Sequence, residues 1–446
     1  MARWSTSGTW TGRWGSYCPG NAAPATRPAV VLRGARGRVA RRWPAIQDGT
    51  SAKTPAMAEW AGDVMDRRTL LKIGGLGLLG SGLSACGVRS TPMGQPPLRL
   101  APVRVDPNRI IRTTVGLRPH RPAGFLLRAE RLDETTVIHN YGHGGAGMSL
   151  SWGTGAMAAE MALEHDSRRA AVIGCGAAGL TAARQLQRRG FDVTIYTMDV
   201  PPNTTSNMSL AGFTPTSGLI DGDLRTPAWD AQFREAAEVS YRQLQLLVGR
   251  GYGVSWIHSY ALSDNEPRPR GGGGGDREPL LPAHLRTGTR LLGPGQHPFA
   301  TRYATQRTQM RIEPSIYLDA LVRDVVDRGG RIVIRKFTEP GELVELEEPV
   351  VVNCTGLGAR DLFGDRTMVP LKGQLTVLIP QPEVNYGTFG GAPVSGGGLG
   401  IHMQPRSDGI VLGGTSERGE WSLEPNRDAL ERIVAAHRAV FSAMRI

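Results

Sequence analysis

RAAVIGCGAAGLTAARQLQRRGFDVTIYT, residues 169–197, decides the fold. Residues 170–173 form a short apolar run with strand character, and Gly174-Cys175-Gly176-Ala177-Ala178-Gly179 reads G-x-G-x-x-G. A helical segment follows over residues 180–189 and a second apolar strand over 191–196. The order strand, glycine turn, helix, strand is a complete β-α-β unit. The three glycines differ in what they permit. Gly174 makes the tight turn, Gly176 lets backbone approach a pyrophosphate, and Gly179 lets the helix pack close to the strand. The helix opening at Ala177 and Ala178 then presents free N–H groups and a partial positive charge to phosphate. In a chain with 59 glycines a bare G-x-G-x-x-G would carry little. Its position between strand and helix is what makes this one a dinucleotide signal.

The chain of 446 residues is long enough for two domains, and its net charge of +12 invites a nucleic-acid reading. The location of the charge answers it. Residues 1–86 hold 12 Lys and Arg against 4 Asp and Glu, which leaves 40 against 36, or +4, for the remaining 360 residues. No basic stripe interleaved with aromatics occurs there, so no nucleic-acid partner is expected.

Residues 1–64 carry five of the nine Trp among Arg, Gly, Ala and Pro, without helical or strand periodicity. A non-native or disordered extension is expected, with Met57 or Met65 as the true start. The sequence from Met65, MDRRTLLKIGGLGLLGSGLSACG, changes character. Arg67-Arg68 before a short apolar run has the form of a twin-arginine export signal, and Leu83-Ser84-Ala85-Cys86 is similar to a bacterial lipobox. Residues 65–86 are therefore expected to direct export and to place a lipid on Cys86, making an exported bacterial lipoprotein of the cell envelope. Residues 87–109, rich in Pro, read as the linker. Cys175 and Cys354 stand at the ends of apolar strands and read as small buried residues, with neither disulfide nor metal expected.

Two further stretches carry chemistry: VGLRPHRP at residues 115–122, and VIHNYGHGGAGMS at residues 137–149, where an apolar strand enters a glycine loop and a helix begins. Such a loop lets backbone touch a flat ligand, with the helix N-terminus beside it. IHNYGHGGAG followed by WGTG closely resembles the signature of the D-amino-acid oxidase family of FAD-dependent oxidoreductases. GLRPHRP resembles the segment that precedes it there. TTSN at 204–207, IEPSIYLDAL at 312–321, VVVNCTG at 350–356, LKGQ at 371–374 and IVLGGTSERGEWS at 410–422 extend the resemblance over most of residues 110–446. The order differs from that family: the Arg segment and the HNYG signature come before the dinucleotide turn, which resembles a circular permutation.

The resemblance implies an α/β fold with a Rossmann-like FAD-binding domain and a second, mostly antiparallel substrate domain. The FAD-binding domain is expected at 110–225 and 312–370. The substrate domain is expected at 226–311 and at 371–446, the latter returning to the FAD-binding domain. FAD is the implied cofactor, contacted by Gly144, Gly147, Met148, Gly174, Gly176, Ala177, Ala178, Gly179, Thr204, Thr205, Ser206, Thr355 and Gly356. The carboxylate nearest the end of the second strand is Asp199, the candidate for the ribose. Arg118 matches the substrate-carboxylate arginine, Gly145 lies in the signature loop, and His402 stands where the oxidases place a Tyr, with Gly398 at a second Tyr position. The implied activity is oxidation of the C–N bond of a D-amino acid or related amine, with hydride passing from the α-carbon to the flavin and oxygen or another acceptor reoxidising it. The His402 departure keeps a second reading open, a flavin-binding surface lipoprotein without turnover. Elsewhere a helix is expected over 228–249, another after Glu313 with Ser315 as N-cap, and loop over 263–298.

Overall fold

The computed structural model describes residues 98–210, 212–267, 278–391 and 400–445, together with the backbone of Val31 and Leu32. The expected export signal, Cys86, the glycine run 271–275 and Gly398 lie outside the described residues.

Seven strands form the first sheet, in the order Val31–Leu32, Arg331–Ile334, Asp192–Thr197, Arg169–Ile173, Val350–Asn353, Thr135–Tyr141 and Leu126–Leu132. The five central strands are parallel, and the two outermost pair antiparallel to their neighbours. Parallel strands covered on both faces must be apolar on both, and Val350–Asn353 follows that rule. Val350 and Val352 join the helix-side core, while Val351 joins the opposite cluster with Val137, Ile173 and Phe337. The two residues at Val31–Leu32 extend this sheet at one edge, a departure from the expectation that residues 1–64 stay outside the fold.

Helices Gly147–Leu163, Ala177–Arg188, Pro227–Leu247 and Pro314–Asp327 contribute to the core over one face of the sheet. Gly147–Leu163 lies between two of the others, and its small residues permit that. A Cβ on Gly153 would meet Ala236 O at 2.0 Å, and one on Gly155 would meet Ala182 N at 3.0 Å. Residues 164–168 then lead directly into Arg169–Ile173.

The second sheet runs Glu417–Arg418, Val369–Leu378, Gly409–Gly413, His402–Arg406, Tyr386–Gly390, Val254–Ser263, Tyr303–Ile312, Thr289–Leu292, and it is mostly antiparallel. Ile110–His120 pairs along the other edge of Val369–Leu378. A Rossmann-like α/β layer and an antiparallel sheet are thus both present.

Several boundaries differ from expectation. Ile110–His120, placed by sequence with the FAD-binding domain, belongs to the second sheet because its hydrogen bonds run along Val369–Leu378. Helix Pro227–Leu247, placed with the substrate domain, packs on Gly147–Leu163, where Ser240 Oγ accepts from Gly153 N at 2.8 Å. The expected linker is docked from Leu98 onward, with Val103 and Val105 buried in the core of the second sheet. The N-cap of Pro314–Asp327 is Glu313 instead of Ser315, because Pro314 takes the first helical position, where its missing N–H costs nothing. Strand Thr289–Leu292 interrupts the expected loop by pairing with Tyr303–Ile312.

Candidate active site

A cavity of about 850 Å³ runs between the two sheets. Its size lies in the range of cofactor sites. One end is built at the C-terminal ends of the parallel strands, where open α/β sheets place their ligands.

The glycine turn has the close approaches that a chain without side chains permits. Gly174 has φ of +113°, a conformation that side chains rarely adopt, and a Cβ there would meet Cys354 O at 2.6 Å. A Cβ on Gly179 would meet Gly174 O at 1.9 Å, so helix and strand can approach only through glycine. A Cβ on Gly176 would lie 3.0 Å from Ser206 Oγ. That hydroxyl also accepts from Ala177 N at 3.0 Å, tying the 204–206 run to the helix N-terminus. Thr204, Thr205, Ser206, Ala177 and Ala178 all line the cavity. Asp199 lines it too, is exposed, and follows Asp192–Thr197. Thr355 and Gly356 close this part from Val350–Asn353.

The signature loop forms the middle of the wall. Gly144, Gly145, Gly147 and Met148 line the cavity at the N-terminus of helix Gly147–Leu163. Gly144 has φ of +52° and no room for a Cβ, which would meet Gly218 O at 1.8 Å. A Cβ on Gly145 would meet Ser217 O at 2.8 Å. Two helix N-termini, at Gly147 and Ala177, therefore converge on one cavity, a favourable field for an anionic cofactor.

The antiparallel sheet supplies the remaining wall. Arg118 is half-buried, with Nε donating to Leu371 O at 3.1 Å and Nη2 to Thr415 O at 3.3 Å. Among the described residues it has no carboxylate partner, unlike Arg121, whose Nε meets Asp365 Oδ2 at 3.1 Å. Burial lowers the Arg118 pKa, and a guanidinium remains charged nonetheless. His402 also lines the cavity, and its Nδ1 lies 3.3 Å from Gly400 O. Burial first, then nearby His437 and Arg118, push its pKa down to about 4, so the imidazole is neutral near pH 7. The carboxylate-binding candidate and the position of the Tyr departure thus share one wall.

Sequence reasoning passed over several lining residues. Asn140 is fully buried, its Nδ2 lies 3.7 Å from Cys354 Sγ, and its Oδ1 has no partner among the described residues. An orphaned buried carbonyl at a cavity wall is the mark of a ligand-binding group. The signal was a polar residue ending an apolar parallel strand. Ser259, Arg307 and Gln309 were also missed, in a region read mainly for its loop and helix. Asp324 on Pro314–Asp327 accepts from Tyr252 Oη at 2.8 Å and lies 3.5 Å from Arg184 Nε.

FAD fits this site. The glycine cradle admits backbone-close phosphate, two helix N-termini face it, and Asn140 offers an unpaired acceptor. The fold and site together have the form of a dinucleotide-binding α/β protein with an antiparallel second sheet. A family model described as DAO, FAD dependent oxidoreductase, matches residues 169–446. The chain is 32% identical over 269 residues to the D-amino-acid oxidase of Rubrobacter xylanophilus, covering 60% of this chain and 75% of that one. It is 27% identical over 286 residues to the D-amino acid oxidase of Dugesia ryukyuensis, covering 61% and 78%. With the D-aspartate oxidase of Homo sapiens the identity is 26% over 288 residues, covering 63% and 79%. The chain belongs to the DAO family of FAD dependent oxidoreductases.

Proposed function

We propose that this enzyme oxidises the C–N bond of an amino acid, or a related amine, that carries a free carboxylate. The observation that carries the reading is Arg118, a half-buried guanidinium at the cavity wall whose hydrogen bonds among the described residues go to two carbonyls and to no acid. A planar fork of this kind binds a carboxylate through two parallel charge-assisted bonds. FAD supplies the acceptor for the α-hydrogen, lost as hydride while the amine becomes an imine. The protein's share is positional. Arg118 anchors the carboxylate, and this fixes which hydrogen faces the cofactor. Neutral His402 adds no charge that would compete with the substrate amine. Similarity to D-amino-acid oxidases favours the D-configuration. The test is anaerobic: candidate D-amino acids, L-amino acids and uncharged amines are added to purified protein, and loss of the flavin absorption bands is followed. No bleaching by any carboxylated amine would exclude the activity.

The chain order is read as a circular permutation of the family's. Supporting this, the family match begins at residue 169, while Thr135–Tyr141, which precedes it, pairs in parallel register with Val350–Asn353 in the same sheet. The twin-arginine and lipobox residues at 67–68 and 83–86 support export and lipid attachment at Cys86.

A further inference from the structure

Four polar side chains form a hydrogen-bonded chain across three adjacent strands of the first sheet, from its surface to the cofactor cavity. Glu130 lies on Leu126–Leu132, His139 on Thr135–Tyr141, Asn353 at the end of Val350–Asn353, and Thr355 just beyond it at the cavity wall. Glu130 Oε1 stands 2.8 Å from His139 Nε2, and His139 Nδ1 stands 3.0 Å from Asn353 Nδ2. Asn353 Oδ1 accepts from Thr355 N at 3.1 Å and from Thr355 Oγ1 at 2.7 Å. His139 and Asn353 are buried, while Glu130 is exposed and also meets Arg128. Edge contacts with Tyr141 and Phe363 hold the imidazole plane.

A single arrangement of protons satisfies this chain. A backbone N–H can only donate, so Thr355 N fixes the oxygen of the Asn353 amide on its own side and turns the amide N–H toward His139. His139 Nδ1 must then accept, which leaves the ring proton on Nε2, where the acceptor carboxylate of Glu130 requires it. Both ends have fixed polarity, and they agree. The consequence falls on Thr355. Its hydroxyl proton is taken by Asn353 Oδ1, so it presents lone pairs to the cavity. Phosphate oxygens are themselves acceptors, so the group this hydroxyl matches is a donor.

The strand order selects that donor. Asp199, the glycine turn, Thr355 and the signature loop follow the successive strands Asp192–Thr197, Arg169–Ile173, Val350–Asn353 and Thr135–Tyr141. Thr355 thus stands next after the phosphate-binding turn, on the side of the signature loop, and that loop is bridged at His143 to His120 on the strand of Arg118. In FAD the part between the pyrophosphate and the flavin ring is the ribityl chain, whose hydroxyls donate. We propose that Glu130, His139 and Asn353 are positioning residues that hold the Thr355 hydroxyl as a hydrogen-bond acceptor for a ribityl hydroxyl of FAD. The proposal concerns cofactor recognition and holds whatever amine is oxidised.

The test is calorimetric titration of full-length protein, stripped of flavin, with FAD, riboflavin and ADP. Riboflavin carries the ribityl chain without phosphate, and ADP carries phosphate without the ribityl chain. Thr355→Val should weaken FAD and riboflavin by about tenfold and leave ADP unchanged, while Thr355→Ser should bind all three as the wild type does. His139→Phe should weaken FAD by about threefold in the wild-type background and add nothing to Thr355→Val. Glu130→Ala, at the exposed end of the chain, takes its place if His139→Phe does not fold. Nitrogen NMR of the wild type near pH 7 should show His139 protonated at Nε2 and unprotonated at Nδ1, its signals assigned by their loss or shift in these variants. Unchanged FAD affinity in Thr355→Val, an equal loss of ADP affinity, additive effects of the paired substitutions, or a proton on His139 Nδ1 overturns the proposal.

Discussion

The guanidinium of Arg118 lies across Gly373, where an added Cβ would sit 3.3 Å from Nη2 and 3.5 Å from Cζ. The arginine keeps its place at the cavity wall because its neighbour in the next strand has no side chain. Gly373→Val should displace the guanidinium while leaving the flavin in place. Arg118→Ala and Arg118→Lys should do worse, since losing one charge-assisted pair in a desolvated site costs about 2 to 4 kcal/mol, or roughly thirty- to a thousand-fold in kcat/KM. Stopped-flow flavin reduction by a carboxylated amine checks all three. If uncharged amines reduce wild type and Arg118→Ala equally fast and carboxylated amines gain nothing from Arg118, the anchor lies elsewhere.

The cofactor prediction rests on the glycine turn. Gly176→Val forces a branched side chain toward Ser206 Oγ and the helix N-terminus, so the protein should fold but purify without flavin. Gly174→Ala should also lose flavin and in addition lower the melting temperature, because its φ of +113° and the Cys354 carbonyl both oppose a Cβ. Flavin absorbance retained at full occupancy in Gly176→Val would refute the assignment of this turn to phosphate.

How much of this was legible depended on how local the signal was. The G-x-G-x-x-G unit and the turn of the loop at residues 144–148 could be read directly, because adjacent residues fix those conformations, whereas Arg118 was indicated only by the resemblance of its segment. The sheet to which Ile110–His120 belongs could not, since a strand's partner is chosen by long-range pairing, here with Val369–Leu378. The same holds for Arg307 and Ser259, which meet only through register. Docking of the chain from Leu98 was hidden because a Pro-rich segment reads as a tether until the apolar surface that takes Val103 and Val105 is known.

Export is tested apart from catalysis. Replacing Arg67-Arg68 with Lys-Lys should hold the protein in the cytoplasm, and Cys86→Ser should prevent lipid attachment, both without changing flavin content. Cell fractionation and metabolic labelling with a tagged fatty acid report the two outcomes. Normal delivery of the Lys-Lys variant to the envelope would remove the twin-arginine assignment.

Arg121 sits three residues from Arg118 in sequence and should behave differently. Its pair with Asp365, which also accepts from Tyr141 Oη at 3.0 Å, joins the end of the signature strand to the segment before Val369–Leu378. Arg121→Ala leaves a half-buried carboxylate with one partner fewer. The expected loss is about 1 to 3 kcal/mol of stability, read as a lower denaturant midpoint, with the rate of flavin reduction per bound flavin unchanged. A large fall in that rate would move Arg121 into the site.

Three buried histidines have their pKa values pushed down and so link stability to pH. Burial is the largest cause for each of His143, His402 and His437, whose pKa values fall from the ordinary 6.5 to about 4. His143 bonds Thr154 Oγ1 at 3.0 Å and His437 faces Ile433 O at 2.8 Å, both deep in the interior. Their sign follows from linkage. Between pH 6.5 and about 4 the unfolded chain binds protons at these positions and the folded chain does not, so stability is fully present above pH 6.5 and is lost as pH falls through that window. Carboxylates held low, such as Asp365 and Glu130, have ordinary values of 3.8 and 4.5, so their contribution fades mainly below the upper part of the histidine window. Melting temperature should therefore fall already between pH 6.5 and 5. His437→Leu should flatten that slope, since its imidazole Nε2 has no partner to lose among the described residues. His402→Asn should flatten it as well, and the activity of wild type should show no break from His402 near neutrality. A melting temperature that stays level down to pH 5 would mean that folded and unfolded chains take up protons alike there, and the downward shift assigned to these imidazoles would have to be withdrawn.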